Sequence, residues 1–227
     1  MQIRPFTGEL SKIIILYLSG ILFVMIYKNL GFIKTLCFFK DFFNKKNEIS
    51  KIKFHYIFGQ DKRIKRQVLE SISSQAALYI TLKKYLINEK ALEYYDKIVK
   101  MGGVISLQSY LSKKADQKVS FEHLKLMISG MFEQNKKAKI HNYEIVISNR
   151  DIFQLNVTMC LLYEMLKELG ITQSCISGCE CDNIFFKEYL KNTGIQFYRK
   201  GTIAEGKSFC DFCFYNDTNM KQQSFKS

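Results

Sequence analysis

Six of the seven cysteines fall after residue 159, as Cys160, Cys175, Cys179, Cys181, Cys210 and Cys213. Acidic residues stand among them, in the strings Cys179-Glu180-Cys181-Asp182 and Cys210-Asp211-Phe212-Cys213. Thiols gathered this way suit two kinds of chemistry. A thiolate attacks an electrophilic carbon when a neighbouring cation or a helix N-terminus lowers its pKa, and three or four thiolates together bind zinc. A disulfide framework is the weaker reading, because the count is odd, the spacing is uneven and no cleavable secretory signal precedes the cysteines. They read as reduced and facing the cytosol.

Within this set Cys160 sits where the spacing predicts the start of a helix, so the helix dipole favours its thiolate. Asp182, at the expected start of the next helix, and Asp211, in an expected strand, are each placed to hold or relay a proton. Cys179 and Cys210 are then neighbours of the nucleophile. In the zinc alternative Cys160, Cys179 and Cys210 are ligands, with Cys181 and Cys213 in reserve. Cys210-x-x-Cys213 has the spacing of half a zinc knuckle, whereas Cys179-x-Cys181 has one intervening residue and no histidine lies near it. Ordinary roles compete with these. Cys37, Cys175 and Cys213 read as small core residues, and an Asp at a helix start commonly caps it. Asp211, set in an apolar strand, requires a partner. His55, His123 and His141 show no paired spacing and read as surface or satisfied packing residues.

The elements that must position these groups change character along the chain. From Asp61 to about Leu111 the apolar residues step at three- and four-residue intervals through Val68, Ile72, Ala76, Tyr79 and Ile80. Asn88-Glu89 predicts a new helix over Lys90 to Lys100, with Met101-Gly102-Gly103 as its stop. Ser120 is placed to cap a helix through Phe121, Leu124, Ile128 and Phe132. Ile140 to Ile147 and Phe153 to Thr158 are rich in β-branched and aromatic residues around the turn Ser148-Asn149-Arg150-Asp151, which predicts an antiparallel hairpin. Helices follow over Met159 to Leu169, ending at Gly170, and over Asp182 to Lys191, ending near Gly194. Ile195 to Ala204 and Ser208 to Tyr215 predict a second hairpin around Glu205-Gly206-Lys207. The expected fold class is α+β: N-terminal helices, then an antiparallel sheet from two hairpins with two intervening helices. The expected division is a hydrophobic and basic segment over 1–58, an α+β domain over 59–216 and a frayed tail over 217–227.

The 227 residues are 47% hydrophobic, enough to bury a core, and carry a net charge of +13. That charge is uneven: Lys28 to Arg66 holds eleven basic and three acidic residues, whereas residues 151–227 hold eight basic and nine acidic. With no recognition motif interleaved in the basic stretch, nucleic acid is not the expected partner. The basic stretch follows an uncharged run from Ile13 to Tyr27, short for a bilayer span and long for an interfacial segment. In the next segment, Leu30 to Phe43, lysines alternate with large aromatics, as suits a helix in a headgroup layer, and Lys45, Lys46, Lys51 and Lys53 suit anionic lipid. The expectation over residues 10–53 is membrane association on the cytoplasmic face, the alternative being an arm packed on the domain or on a second copy in a homo-oligomer.

The strings Asn156-Val157-Thr158-Met159-Cys160, Lys167-Glu168-Leu169-Gly170, Cys179-x-x-Asp182 and Arg199-Lys200-Gly201-Thr202-Ile203-Ala204-Glu205-Gly206, leading to Cys210-Asp211-Phe212, resemble the L-2-amino-thiazoline-4-carboxylic acid hydrolase family. The resemblance covers Ile147 to Tyr215 and extends back toward the helix at Ser120. It implies a hydrolase that opens a thiazoline-like ring at a C–N bond, with no cofactor and a small-molecule substrate, giving a carbamoylated cysteine. It implies a site made of Cys160, Cys179, Asp182, Cys210 and Asp211, with Asn156, Thr158 and Arg199 binding substrate. Arg199 is the first candidate for the substrate carboxylate and Lys200 the second. Two departures from the family pattern are Cys213, where an Arg or another polar residue is expected, and the N-terminal segment outside the shared domain. The reading from another class is a non-catalytic domain, zinc-stabilised or small-molecule-binding, that acts as a sensor or as an accessory in sulfur natural-product biosynthesis.

Overall fold

The computed structural model describes residues 12–55, 61–111 and 119–217. Four helices come first: α1 (Lys12–Ser50), α2 (Lys62–Tyr85), α3 (Asn88–Leu111) and α4 (Phe121–Lys137). The strands β1 (His141–Ser148) and β2 (Ile152–Cys160) lead into α5 (Leu161–Glu168) and α6 (Ser174–Tyr189). β3 (Ile195–Tyr198), a 3-10 turn at Ile203–Glu205 and β4 (Cys210–Asn216) complete the chain. All strand pairs are antiparallel, in the order β1-β2-β4-β3. This is the α+β arrangement the sequence predicts, with both hairpins joined edge to edge in one sheet. The boundary near residue 58 and the tail beyond Asp217 lie outside the described residues.

Side chains alternate along the strands, and one face of the sheet carries the main core. Phe153, Leu155 and Val157 of β2 and Cys210, Phe212 and Phe214 of β4 share a core with Leu124 and Ile128 of α4 and with Phe185 and Phe186 of α6. The Phe214 ring stacks on Phe153 at 6.2 Å and meets Phe186 edge-on at 5.1 Å. Two more cores lie among the helices. One joins α1 to α2 and α3 through Ile26, Phe38, Leu82 and Tyr95, and the other joins α2 to α5 and α6 through Ala76, Met165 and Cys175.

Several boundaries differ from expectation, each for a local reason. α3 runs straight through Gly102 and Gly103 to Leu111. A Cβ on Gly103 would stand 2.2 Å from the Cys181 sulfur, so that glycine permits close packing of α3 on α6 and does not stop the helix. α6 begins at Ser174, eight residues before Asp182. Its polar-looking start is made of small residues, Ser174, Cys175 and Ser177, that are buried against neighbouring elements. The first strand of the second hairpin ends at Tyr198, because the N–H groups of Lys200 and Gly201 leave the ladder to bind the Asp211 carboxylate. Ser120 caps α4 by accepting from the N–H of His123 at 3.2 Å. His141 is half-buried beside Phe132 and Asn135, and desolvation there pushes its pKa down to about 4. Cys37, expected in a core, is exposed on α1.

α1 is two helical arms. Gly31 has φ 72° and ψ 175°, a conformation essentially confined to glycine. The Phe23 and Phe39 rings stack at 5.9 Å, whereas residues sixteen apart in a straight helix stand about 24 Å apart along its axis. The chain therefore turns back on itself at Gly31, and the arms lie side by side. The Thr35 hydroxyl donates to the Gly31 carbonyl at 2.7 Å at the start of the second arm.

Candidate active site

α6 carries Cys175, Cys179 and Asp182 at i, i+4 and i+7, one stripe along a helix. The adjacent Cys181 faces away, toward α3, its sulfur lying 3.6 Å from the Val99 carbonyl. Four more groups reach the stripe from the sheet. Arg199 continues the alternation of Ile195 and Phe197, which points it to the helix-covered side, and its guanidinium lies 5.3 Å from the Phe212 ring centre. Cys210 opens β4 on the same face. Thr202 caps the 3-10 turn.

Cys160 arrives by a device the sequence pattern does not display. Val157 pairs with Tyr143, and Met159 pairs with Asn142, so Thr158 is an extra residue opposite nothing. Without that bulge, Cys160 would fall on the other face from Val157; with it, Cys160 pairs with His141 on the covered face. The bulge thus delivers the Cys160 thiol to the side where Cys179 lies.

The Arg199 guanidinium donates to the Asp182 carboxylate at 2.8 Å and also to the Cys179 carbonyl. Its side chain is only 3% exposed, so both donor edges are committed inside the protein. Burial raises the pKa of Asp182, against the pull of Arg199. Burial likewise opposes the charge on Arg199, yet Asp182 and Cys179 hold its pKa up. A buried charge needs such a partner.

The thiols are not equivalent. Cys179 is shifted down, first because the Cys175 thiol donates to it, then through Arg199 and Thr202, against burial and the Asp182 charge. The one proton of the Thr202 hydroxyl has two acceptors in reach, the Cys179 sulfur and the Glu205 carboxylate at 2.8 Å. Cys175 is shifted up, chiefly by that same hydrogen bond. Cys160 caps α5 by position, but burial and the nearby Cys179 push its thiol up to about 12, against the N–H groups of Tyr163 and Leu162. Burial pushes Cys210 up to about 11, although its sulfur accepts from the Ile203 N–H at 3.2 Å. The arrangement therefore favours one thiolate, at Cys179, ringed by neutral thiols.

The expected residues divide between the two faces of the sheet. Cys160, Cys179, Asp182, Arg199 and Cys210 come together, whereas Asn156 and Asp211 are paired neighbours on the opposite face. Asp182 lies in the middle of α6 and caps nothing. The Asp211 carboxylate accepts from the backbone N–H groups of Lys200 and Gly201 at 3.0 Å, which fixes the loop carrying Arg199. Asn156 Oδ1 is buried with no hydrogen-bond partner among the described residues, and Thr158 is exposed at its bulge. Cys175 and Thr202 are the groups sequence reasoning missed. A helix read from Ser174 would have placed Cys175 one turn from Cys179. Among the described residues no three histidine, cysteine, aspartate or glutamate side chains converge to hold a metal ion.

The sequence model of the L-2-amino-thiazoline-4-carboxylic acid hydrolase family matches residues 61–214. The chain belongs to this family. The match takes in α2 and α3 as well as the sheet and its helices, so every group of the thiol cluster lies within it. The match begins further toward the N-terminus than the resemblance, which covers Ile147 to Tyr215 and extends back toward Ser120. A search of curated proteins finds no match to the chain.

Proposed function

We propose that this hydrolase opens the ring of L-2-amino-thiazoline-4-carboxylate, or of a closely related cyclic amidine, with Cys179 as nucleophile and Asp182 as acid and base. What carries this reading is the convergence on Cys179 of a thiol donor, a buried cation and a half-buried carboxylate, within a chain of this family. The ring carbon bonded to sulfur and two nitrogens is electrophilic, and the Cys179 sulfur adds to it. Breaking the ring C–N bond needs a proton on the departing nitrogen, and Asp182, one turn from Cys179 on α6, is placed to supply it, burial favouring its protonated form and Arg199 opposing it. Water then adds to the same carbon, giving a proton back to Asp182, and the carbon–sulfur bond to Cys179 breaks. The product is a carbamoylated cysteine, and the thiolate is regenerated.

Arg199 in this reading is a positioning residue, because both edges of its guanidinium already bind Asp182 and the Cys179 carbonyl. The substrate carboxylate takes Lys200 instead, exposed on the same loop. Asp211 holds that loop. The test is turnover of the aminothiazoline acid by wild type, Cys179→Ala and Cys160→Ala, with zinc content measured on each preparation. Cys179→Ala is expected to lose at least about 10³-fold, and Cys160→Ala to stay within about tenfold, in protein without stoichiometric zinc. Turnover surviving in Cys179→Ala contradicts the proposal, as does activity that follows bound zinc.

A further inference from the structure

The two arms of α1 form a layer with unlike faces. The inner face, with Leu22, Ile26 and Phe38, is buried on α2 and α3. The outer face keeps large apolar side chains in solvent: Leu16 is 73% exposed, Ile33 76%, Phe32 59% and Phe43 56%. By length and composition Ile14–Ser50 could cross a membrane, with mean hydropathy 1.7 in its most apolar window. Its geometry says otherwise. The bend at Gly31 folds it into a hairpin whose inner side already belongs to the domain, and Lys28, Asn29 and Lys34 flank the bend. Sending that bend into hydrocarbon would bury those lysines without partners.

The charges on the layer are equally one-sided. α1 contains only two acidic residues, Asp41 and Glu48. Asp41 is taken by Lys84 of α2 at 2.5 Å and by the Tyr85 hydroxyl at 2.8 Å, and Glu48 by Lys45 at 2.5 Å. Lys28, Lys34 and Lys40 are exposed, and the ion pairs seen among the described residues include none of them. Exposed aromatic and aliphatic side chains interleaved with unneutralised lysines are what a helix layer needs in order to lie among lipid headgroups. A second copy of the chain is the poorer occupant, since a two-fold contact through this face would set lysines against lysines.

We propose that the outer face of the α1 hairpin docks flat on a bilayer containing anionic lipid, with Phe32, Ile33 and Leu16 at the acyl boundary and Lys28, Lys34 and Lys40 on the lipid phosphates. The domain is thereby held at the membrane surface without crossing it. The test is sedimentation of the full-length chain with vesicles of phosphatidylcholine alone or mixed with phosphatidylglycerol, at low and high salt. Two variants accompany it, Phe32→Glu with Ile33→Glu, and Lys28→Gln with Lys34→Gln and Lys40→Gln. Both alter exposed side chains, and circular dichroism checks that each keeps the wild-type fold. Wild type is expected to prefer the anionic vesicles by about tenfold or more and to be released by salt. The lysine variant should lose that preference, and the Phe32/Ile33 variant should lose binding to both vesicles. Failure of wild type to bind, or binding that ignores both lipid charge and the variants, overturns the proposal. So does a chain that dimerises without lipid and becomes monomeric when Phe32 and Ile33 are changed.

Discussion

Cys160 and Cys179 lie in the same cluster, and what separates them is the company each sulfur keeps. Cys160 has a helix N-terminus, worth about 1 kcal/mol or less at the surface, and burial outweighs it, leaving a neutral thiol with pKa about 12. Cys179 has a thiol donor, a hydroxyl and a guanidinium, and these together overcome its burial. Removing the first of these, as Cys175→Ala, should move the midpoint of the Cys179 alkylation profile to higher pH while leaving the fold intact. An unchanged midpoint would show that Cys175 does not tune Cys179. Arg199→Gln should do more, raising the thiol further and leaving Asp182 buried without its cation, at a cost of about 3 kcal/mol in stability measured by denaturant unfolding. The presence of a thiol cluster with carboxylates is legible in the sequence. Which thiol is activated is not, because that depends on α6 beginning at Ser174 and bringing Cys175 one turn before Cys179.

Among the elements, those with strong periodicity or clear turn residues could be read from the sequence: the Ser120 cap, the hairpin around Asn149 and the helix ending at Gly170. Those governed by a long-range contact could not. The Asp211 carboxylate ends β3 by claiming two N–H groups from the following loop, and nothing local to Lys200 announces it. Asp211→Asn should lose about 1–3 kcal/mol of stability, since one acceptor oxygen becomes a donor facing those N–H groups. It should also lower kcat/KM for the aminothiazoline acid, because Arg199 and Lys200 ride on that loop. The Thr158 bulge is equally silent in sequence, yet it selects the face on which Cys160 emerges. Gly31 is a third such case: a Cβ there meets no neighbouring atom within 4 Å, so the penalty in Gly31→Ala is one of backbone conformation. About 1–3 kcal/mol is expected for that strain, seen as a lower melting temperature with unchanged thiol reactivity.

For the whole molecule, the buried titratable groups bound the pH range of stability. His141 is held neutral with its pKa pushed down to about 4. The unfolded chain takes up that proton near pH 6.5, so its contribution is complete above about 6.5 and is lost as pH falls through 4. The thiols of Cys160, Cys181 and Cys210 are held neutral with pKa values pushed up to about 12, 12 and 11. The unfolded chain releases those protons first, so their contribution is complete below about pH 9 and declines as pH rises toward 11 to 12, by up to about 1.4 kcal/mol per unit for each thiol. Denaturant unfolding across pH should therefore show stability falling below about pH 6.5 and above about 9, with Cys179, whose pKa is shifted down, adding a rise as pH approaches 9 from below. A stability that keeps rising above pH 9 would show that these thiols are not held as buried neutral groups.

Limiting alkylation at neutral pH in a Cys37→Ser background, which removes the exposed thiol on α1, followed by peptide mapping with and without the aminothiazoline acid, tests whether Cys179 is the reactive thiol. Cys179 should be labelled first, well ahead of Cys160 and Cys210, and substrate should protect it. Labelling that begins at Cys160 or Cys210, or that substrate leaves untouched, would contradict Cys179 as the proposed nucleophile.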